Sequence, residues 1–86
     1  MKLIVSPAAL KTMDEEMPRS DRDRLIQKAK DFAADPFGPH PWARPLSGQP
    51  DRVRIRQGDW RGVLSIVRAS ETVALVQVGN RKEVYR

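Results

Sequence analysis

The chain has 86 residues, with 16 Lys and Arg against 11 Asp and Glu, one His and no Cys. That length suits one small domain without a deep, enclosed cofactor cavity. Lacking Cys, it has no disulfide, thiolate metal site or thiol nucleophile, and its apolar runs fall short of both a membrane span and a secretory signal.

A soluble, cytoplasmic protein with no membrane partner is expected. Residues 2–6 read as a short apolar strand. Ser6-Pro7 then has the chemistry of a helix start, with Ser able to cap free N–H groups and Pro tolerated at the first helical position. Leu10, Met13 and Met17 follow at helical spacing and predict an apolar stripe, read as core, with Asp14, Glu15 and Glu16 mostly on the wet side. Pro18 ends that helix. Ser20-Asp21-Arg22-Asp23 predicts the start of a second helix with a capping-box spacing and acids in its first turn. Its apolar face is Leu25, Ile26, Ala29, Phe32 and Ala33, and it should stop by Asp35, because Pro36 disfavours a helical predecessor.

Residues 36–50 hold five of the seven prolines and read as a long loop without a regular element, with Phe37 and Trp42 as candidate anchors. His40, isolated between two prolines, reads as a surface residue. From Asp51 the period becomes two. Val53 and Ile55 alternate with Arg52, Arg54 and Arg56, so a strand buries the aliphatic residues and lines its other face with guanidinium groups. Gly58-Asp59 supplies a tight turn, residues 60–67 a second strand, and Ala69-Ser70-Glu71 another turn. Residues 72–78 form a third, nearly continuous apolar strand, as suits a central position. The expected fold is α+β, in the order β-α-α-β-β-β: a two-helix hairpin packed on one face of a small, mostly antiparallel four-stranded sheet.

Charge is distributed unevenly. Residues 1–50 carry eight basic and seven acidic groups; residues 51–86 carry eight basic and four acidic, and seven of those eight are Arg. With the helices on one face, Arg54, Arg56 and Arg61 would share the open face, and Arg81 and Tyr85 lie just beyond the last strand. Converging guanidinium groups suit a polyanion such as a nucleic-acid backbone. A merely solvated face, with the side chains splayed apart, would have the same alternation. No phosphate loop, dinucleotide motif, catalytic triad or supported carboxylate pair is present, and the four scattered acids of the basic half do not suit Mg²⁺. The chemistry left open is metal-free, cofactor-free cleavage of RNA, whose 2′-OH is its own nucleophile. Arg can orient the chain and stabilise the charged phosphate but cannot serve as a base. Tyr85 is the titratable candidate, since guanidinium neighbours favour its phenolate; stacking on a base, or packing against the sheet, are its other readings.

Taken together, Arg44-Pro45-Leu46-Ser47-Gly48, the stretch from Val53 to Arg61 with its Arg54-Ile55-Arg56-Gln57-Gly58-Asp59-Trp60-Arg61, and the ending Val78-Gly79-Asn80-Arg81-Lys82-Glu83-Val84-Tyr85-Arg86 resemble the RelE/ParE superfamily of type II toxin–antitoxin toxins. Asp35-Pro36-Phe37 and the helix pair fit the same pattern. The resemblance implies a cognate antitoxin that covers the basic face and, in the RelE-like branch, ribosome-dependent mRNA cleavage, with DNA met only through the antitoxin complex. It assigns phosphate and transition-state stabilisation to Arg54, Arg56, Arg61 and Arg81, and stacking or proton transfer to Tyr85. Arg52, Lys82 and Arg86 are the accompanying candidates for RNA backbone contact. Arg stands at 54 and 56 where several active members have Lys, and Asn80 where His is common; both changes keep phosphate binding and remove proton carriers. The alternatives are a ParE-like gyrase inhibitor without catalysis and an attenuated toxin acting in a repressor complex.

Overall fold

Ser6 ties the N-terminal segment to residues 75 and 76. Its N–H donates to the Leu75 carbonyl (2.9 Å) and its hydroxyl to the Val76 carbonyl (3.1 Å), while Oγ accepts from the Ala9 N–H (3.1 Å) as the cap of the first helix. The structure is a computed structural model and describes residues 1–81. Its elements are β1 (Lys2–Val5), α1 (Pro7–Glu16), α2 (Arg19–Ala34), β2 (Ala43–Leu46), β3 (Gln49–Gln57), β4 (Trp60–Val67), a 3-10 turn (Arg68–Ser70) and β5 (Thr72–Asn80). The sheet order is β1-β5-β4-β3-β2; β1 runs parallel to β5, and the other pairs are antiparallel.

The fold class is α+β as expected, with five strands rather than four. The extra strand is β2, inside the segment expected to be a loop. Pro45 is tolerated there because β2 is an edge strand, so the missing N–H costs no ladder bond on the solvent side. A turn through Gly48, at φ +72°, leads into β3, which begins two residues before the expected Asp51.

Both helices lie on one face of the sheet. Because Ser6 fixes the start of α1 against β5, the buried stripe is Ala9 and Met13, continued by Met17 just past the helix end. Leu10, expected in that stripe, is 47% exposed. In α2 the expected face holds: Leu25, Ala29, Phe32 and Ala33 are buried and Ile26 is half-buried. Its start differs. Pro18 occupies the cap position with no side-chain cap, its carbonyl accepts from Arg22 N–H (3.0 Å), and Ser20 sits exposed within the first turn. The helix ends at Ala34, before Asp35-Pro36, as expected. Met13, Leu25, Ile55, Leu64, Val73 and Leu75 form the sealed centre of the core.

The connection after α2 packs differently from the expectation. Trp42 packs against the core, but Phe37 is 64% exposed, beneath the Arg68 guanidinium at 4.9 Å. His40, expected at the surface, is half-buried between the rings of Phe32 (5.4 Å) and Trp42 (4.9 Å), with Nε2 2.6 Å from the Asp35 carbonyl.

Candidate functional site

The face of the sheet away from the helices is built by strand parity. On β3, Val53 and Ile55 are buried in the core while Arg52, Arg54 and Arg56 turn outward. On β4, Leu64 and Ile66 face the core, which leaves Arg61, Val63 and Ser65 on the open side. The two-residue turn at Gly58-Asp59, with Gly58 at φ +59°, pairs Gln57 with Trp60 and so sets Arg56 directly opposite Arg61. One strand further out, Arg44 stands opposite Arg54. Two like-charged cross-strand pairs therefore share one face, an arrangement that costs stability.

Arg81 joins them through an irregularity in β5. The ladder passes from Leu64↔Leu75 to Val63↔Gln77, so Val76 has no opposite residue on β4. This bulge exchanges the two faces: Val73 and Leu75 pack into the core before it, and Val78 after it. Gln77, Gly79 and Arg81 thereby fall on the open side. Had the strand run on regularly, Arg81 would be directed under the helices. Its N–H instead extends the ladder to the Asp59 carbonyl at 2.8 Å.

The electrostatics of Arg61 report the gathering. Partial burial lowers its pKa from the usual guanidinium range, and the charges of Arg54, Arg56 and Arg81 lower it further, with Asp59 opposing them. Arg61 stays protonated under all ordinary conditions. Its Nη1 donates to the carbonyls of Gly58 (2.7 Å) and Trp60 (2.9 Å), fastening the guanidinium to the turn. Arg56 is fixed through its backbone: its N–H donates to the Trp42 carbonyl (3.2 Å) and its carbonyl accepts from Lys28 Nζ (2.8 Å). Burial, then Arg56 and Arg24, lower the pKa of Lys28.

Of the residues singled out from the sequence, Arg54, Arg56, Arg61 and Arg81 are brought together. Arg52 shares their face but lies farther along it, opposite Ser65, and is exposed. Tyr85, Lys82 and Arg86 lie outside the described residues. Sequence reasoning did not place Lys28, Trp42 or Arg44 at the site, taking Trp42 as a loop anchor and Arg44 only as part of the family pattern. Arg44 carried a signal, being the one basic residue of the proline-rich segment, but the strand that aligns it with Arg54 was hidden by the prolines. Chemically, the cluster is a set of donors, with Arg61 fastened to the turn, suited to an oxyanion bearing more than one negative oxygen.

Comparison with known proteins gives one consistent answer at the level of structure. At the level of sequence, no family model matches the chain, and neither does any curated protein. Among solved structures, the isolated RelE toxin of Escherichia coli is similar over 98% of this chain and 89% of that one, at 25% identity and a TM-score of 0.78. The RelB–RelE antitoxin–toxin complex of Methanococcus jannaschii is similar over 95% of this chain and 94% of the matched one, at 17% identity and a TM-score of 0.76. A YoeB/ParE toxin of Agrobacterium tumefaciens covers 93% of this chain, and is itself covered over 98%, at 14% identity and a TM-score of 0.75. The two-helix, five-stranded architecture is a toxin fold. It is the fold of the RelE/ParE superfamily.

Proposed function

We propose that this chain is the toxin of a toxin–antitoxin pair and that it cleaves mRNA on the translating ribosome without a metal or cofactor. The observation that carries the reading is the gathering of Arg54, Arg56, Arg61 and Arg81 around one spot on the uncovered face. In the proposed reaction the 2′-OH of one nucleotide attacks the adjacent phosphorus and the 5′-oxygen leaves, giving a 2′,3′-cyclic phosphate and a 5′-OH. The four guanidinium groups hold the phosphate and offset the charge that builds on its equatorial oxygens. Since none of them can release a proton, Tyr85 is the proposed proton carrier or stacking partner, with Arg52, Lys82 and Arg86 on the flanking backbone. The solved RelB–RelE complexes favour a cognate antitoxin as the partner that neutralises the basic face. The site of action is then the cytoplasm.

The test is primer extension on a translated message after induction. New 5′ ends should appear on messages under translation, and an Arg61→Ala, Arg81→Ala double variant should lose at least a hundredfold in cleavage while keeping its fold. Intact message with inhibited DNA supercoiling would select the gyrase reading, which the YoeB/ParE neighbour keeps in view. Harmless expression with tight antitoxin binding would select the attenuated one.

A further inference from the structure

The edge of the sheet beside the cluster holds a second feature, of which the cleavage reading uses only Arg54 and Arg56. An open cleft of about 60 Å³ is lined by Pro41, Trp42, Arg44, Arg54 and Arg56. Arg44 and Arg54 face each other across β2 and β3, and among the described residues Arg44 is in no salt bridge. Trp42 is held independently of any ligand: its ring lies 4.9 Å from that of His40, Lys28 Nζ sits 6.0 Å from its centroid, and its carbonyl accepts from Arg56 N–H. An immobilised indole beside two cations is the combination that binds single-stranded nucleotides, the ring meeting the base and the cations the phosphate. Arg54 and Arg56 belong to both the cleft and the cluster, so a strand lying across the cluster runs directly into the cleft.

We propose that this cleft seats the nucleotide adjoining the scissile linkage, with Arg44 on its phosphate and Trp42 against its base. The proposal rests on the RNA reading above and adds to it a binding position that the cluster does not supply. Arg44 is here a positioning residue, remote from the bond that breaks.

The experiment uses the full chain labelled with 5-fluorotryptophan, which has two indoles, Trp42 and Trp60; Trp60→Phe assigns the two fluorine signals. The probes are a 2′-O-methyl dinucleotide and trinucleotide, neither of which can be cut, titrated at low salt. The third nucleotide should tighten binding about tenfold, within the range for stacking one base on an aromatic ring, and should move the Trp42 signal more than that of Trp60. Arg44→Ala should abolish the tenfold increment and reduce the salt slope of trinucleotide binding by about 0.7, the loss of one single-strand phosphate contact. Arg44→Lys should restore part of it. Arg61→Ala should weaken both probes alike and leave the increment in place. An increment and Trp42 shift unchanged by Arg44→Ala would overturn the proposal and leave Arg44 as protection for the sheet edge. Binding of both probes with neither increment nor shift would overturn the cleft alone. Binding of neither by the parent chain would overturn the RNA reading, and the cleft with it.

Discussion

Arg56 and Arg61 are opposed across a two-residue hairpin, and Arg61 also feels Arg54 and Arg81. A protein needing only a wet surface would place a carboxylate opposite one of them, because like charges at paired positions destabilise a sheet. Relieving the repulsion should therefore stabilise the fold. Arg56→Gln is expected to raise the free energy of unfolding by about 0.5 kcal/mol in dilute buffer, with the gain shrinking in 0.5 M salt as screening increases. Denaturant titrations at the two ionic strengths check this; a loss of stability at both would show that the guanidinium groups do not repel. This part of the site was legible in the sequence, because Arg54 and Arg56 alternate with Val53 and Ile55 and the Gly58-Asp59 turn allows only one register. The proposed contribution of Trp42 was not, since an aromatic residue in a proline-rich stretch is indistinguishable from a loop anchor until its neighbours are known.

At the scale of elements, the bulge at Val76 decides whether Arg81 joins the site. Ser6 supports it by donating to the Val76 carbonyl while capping α1, so one hydroxyl serves a helix and a strand 70 residues apart. Ser6→Ala should cost about 1–2 kcal/mol, from the lost cap together with an unsatisfied carbonyl; a thermal melt within error of the parent would contradict that. The packing of α1 makes a second contrast. Met13→Ala, at a fully buried position, should cost about 2–5 kcal/mol, whereas Leu10→Ala should stay within about 0.5 kcal/mol. Periodicity alone gave Leu10 and Met13 equal standing. What separates them is the anchoring of Ser6 to β5, a contact distant in sequence. The bulge was obscured for a related reason: Val73, Ala74, Leu75, Val76 and Val78 form an almost unbroken apolar run, and only Gln77 marks the change of face. The edge strand β2 was hidden because Pro45 reads as a breaker unless the strand is known to have a free side.

For the molecule as a whole, the helices seal one side of the sheet, and Arg44, Arg54, Arg56, Arg61 and Arg81 gather on the other. In the proposed function, Arg54, Arg56, Arg61 and Arg81 act on one phosphate as a unit. Titrating the chain, labelled with ¹⁵N at arginine, with a 2′-O-methyl trinucleotide tests it most directly. The Nε–Hε signals of these four residues should move together with one dissociation constant, while those of Arg19, Arg22 and Arg24 on α2 stay in place. Separate dissociation constants for the four, or shifts spread equally over the arginines of α2, would show that they do not act as a unit.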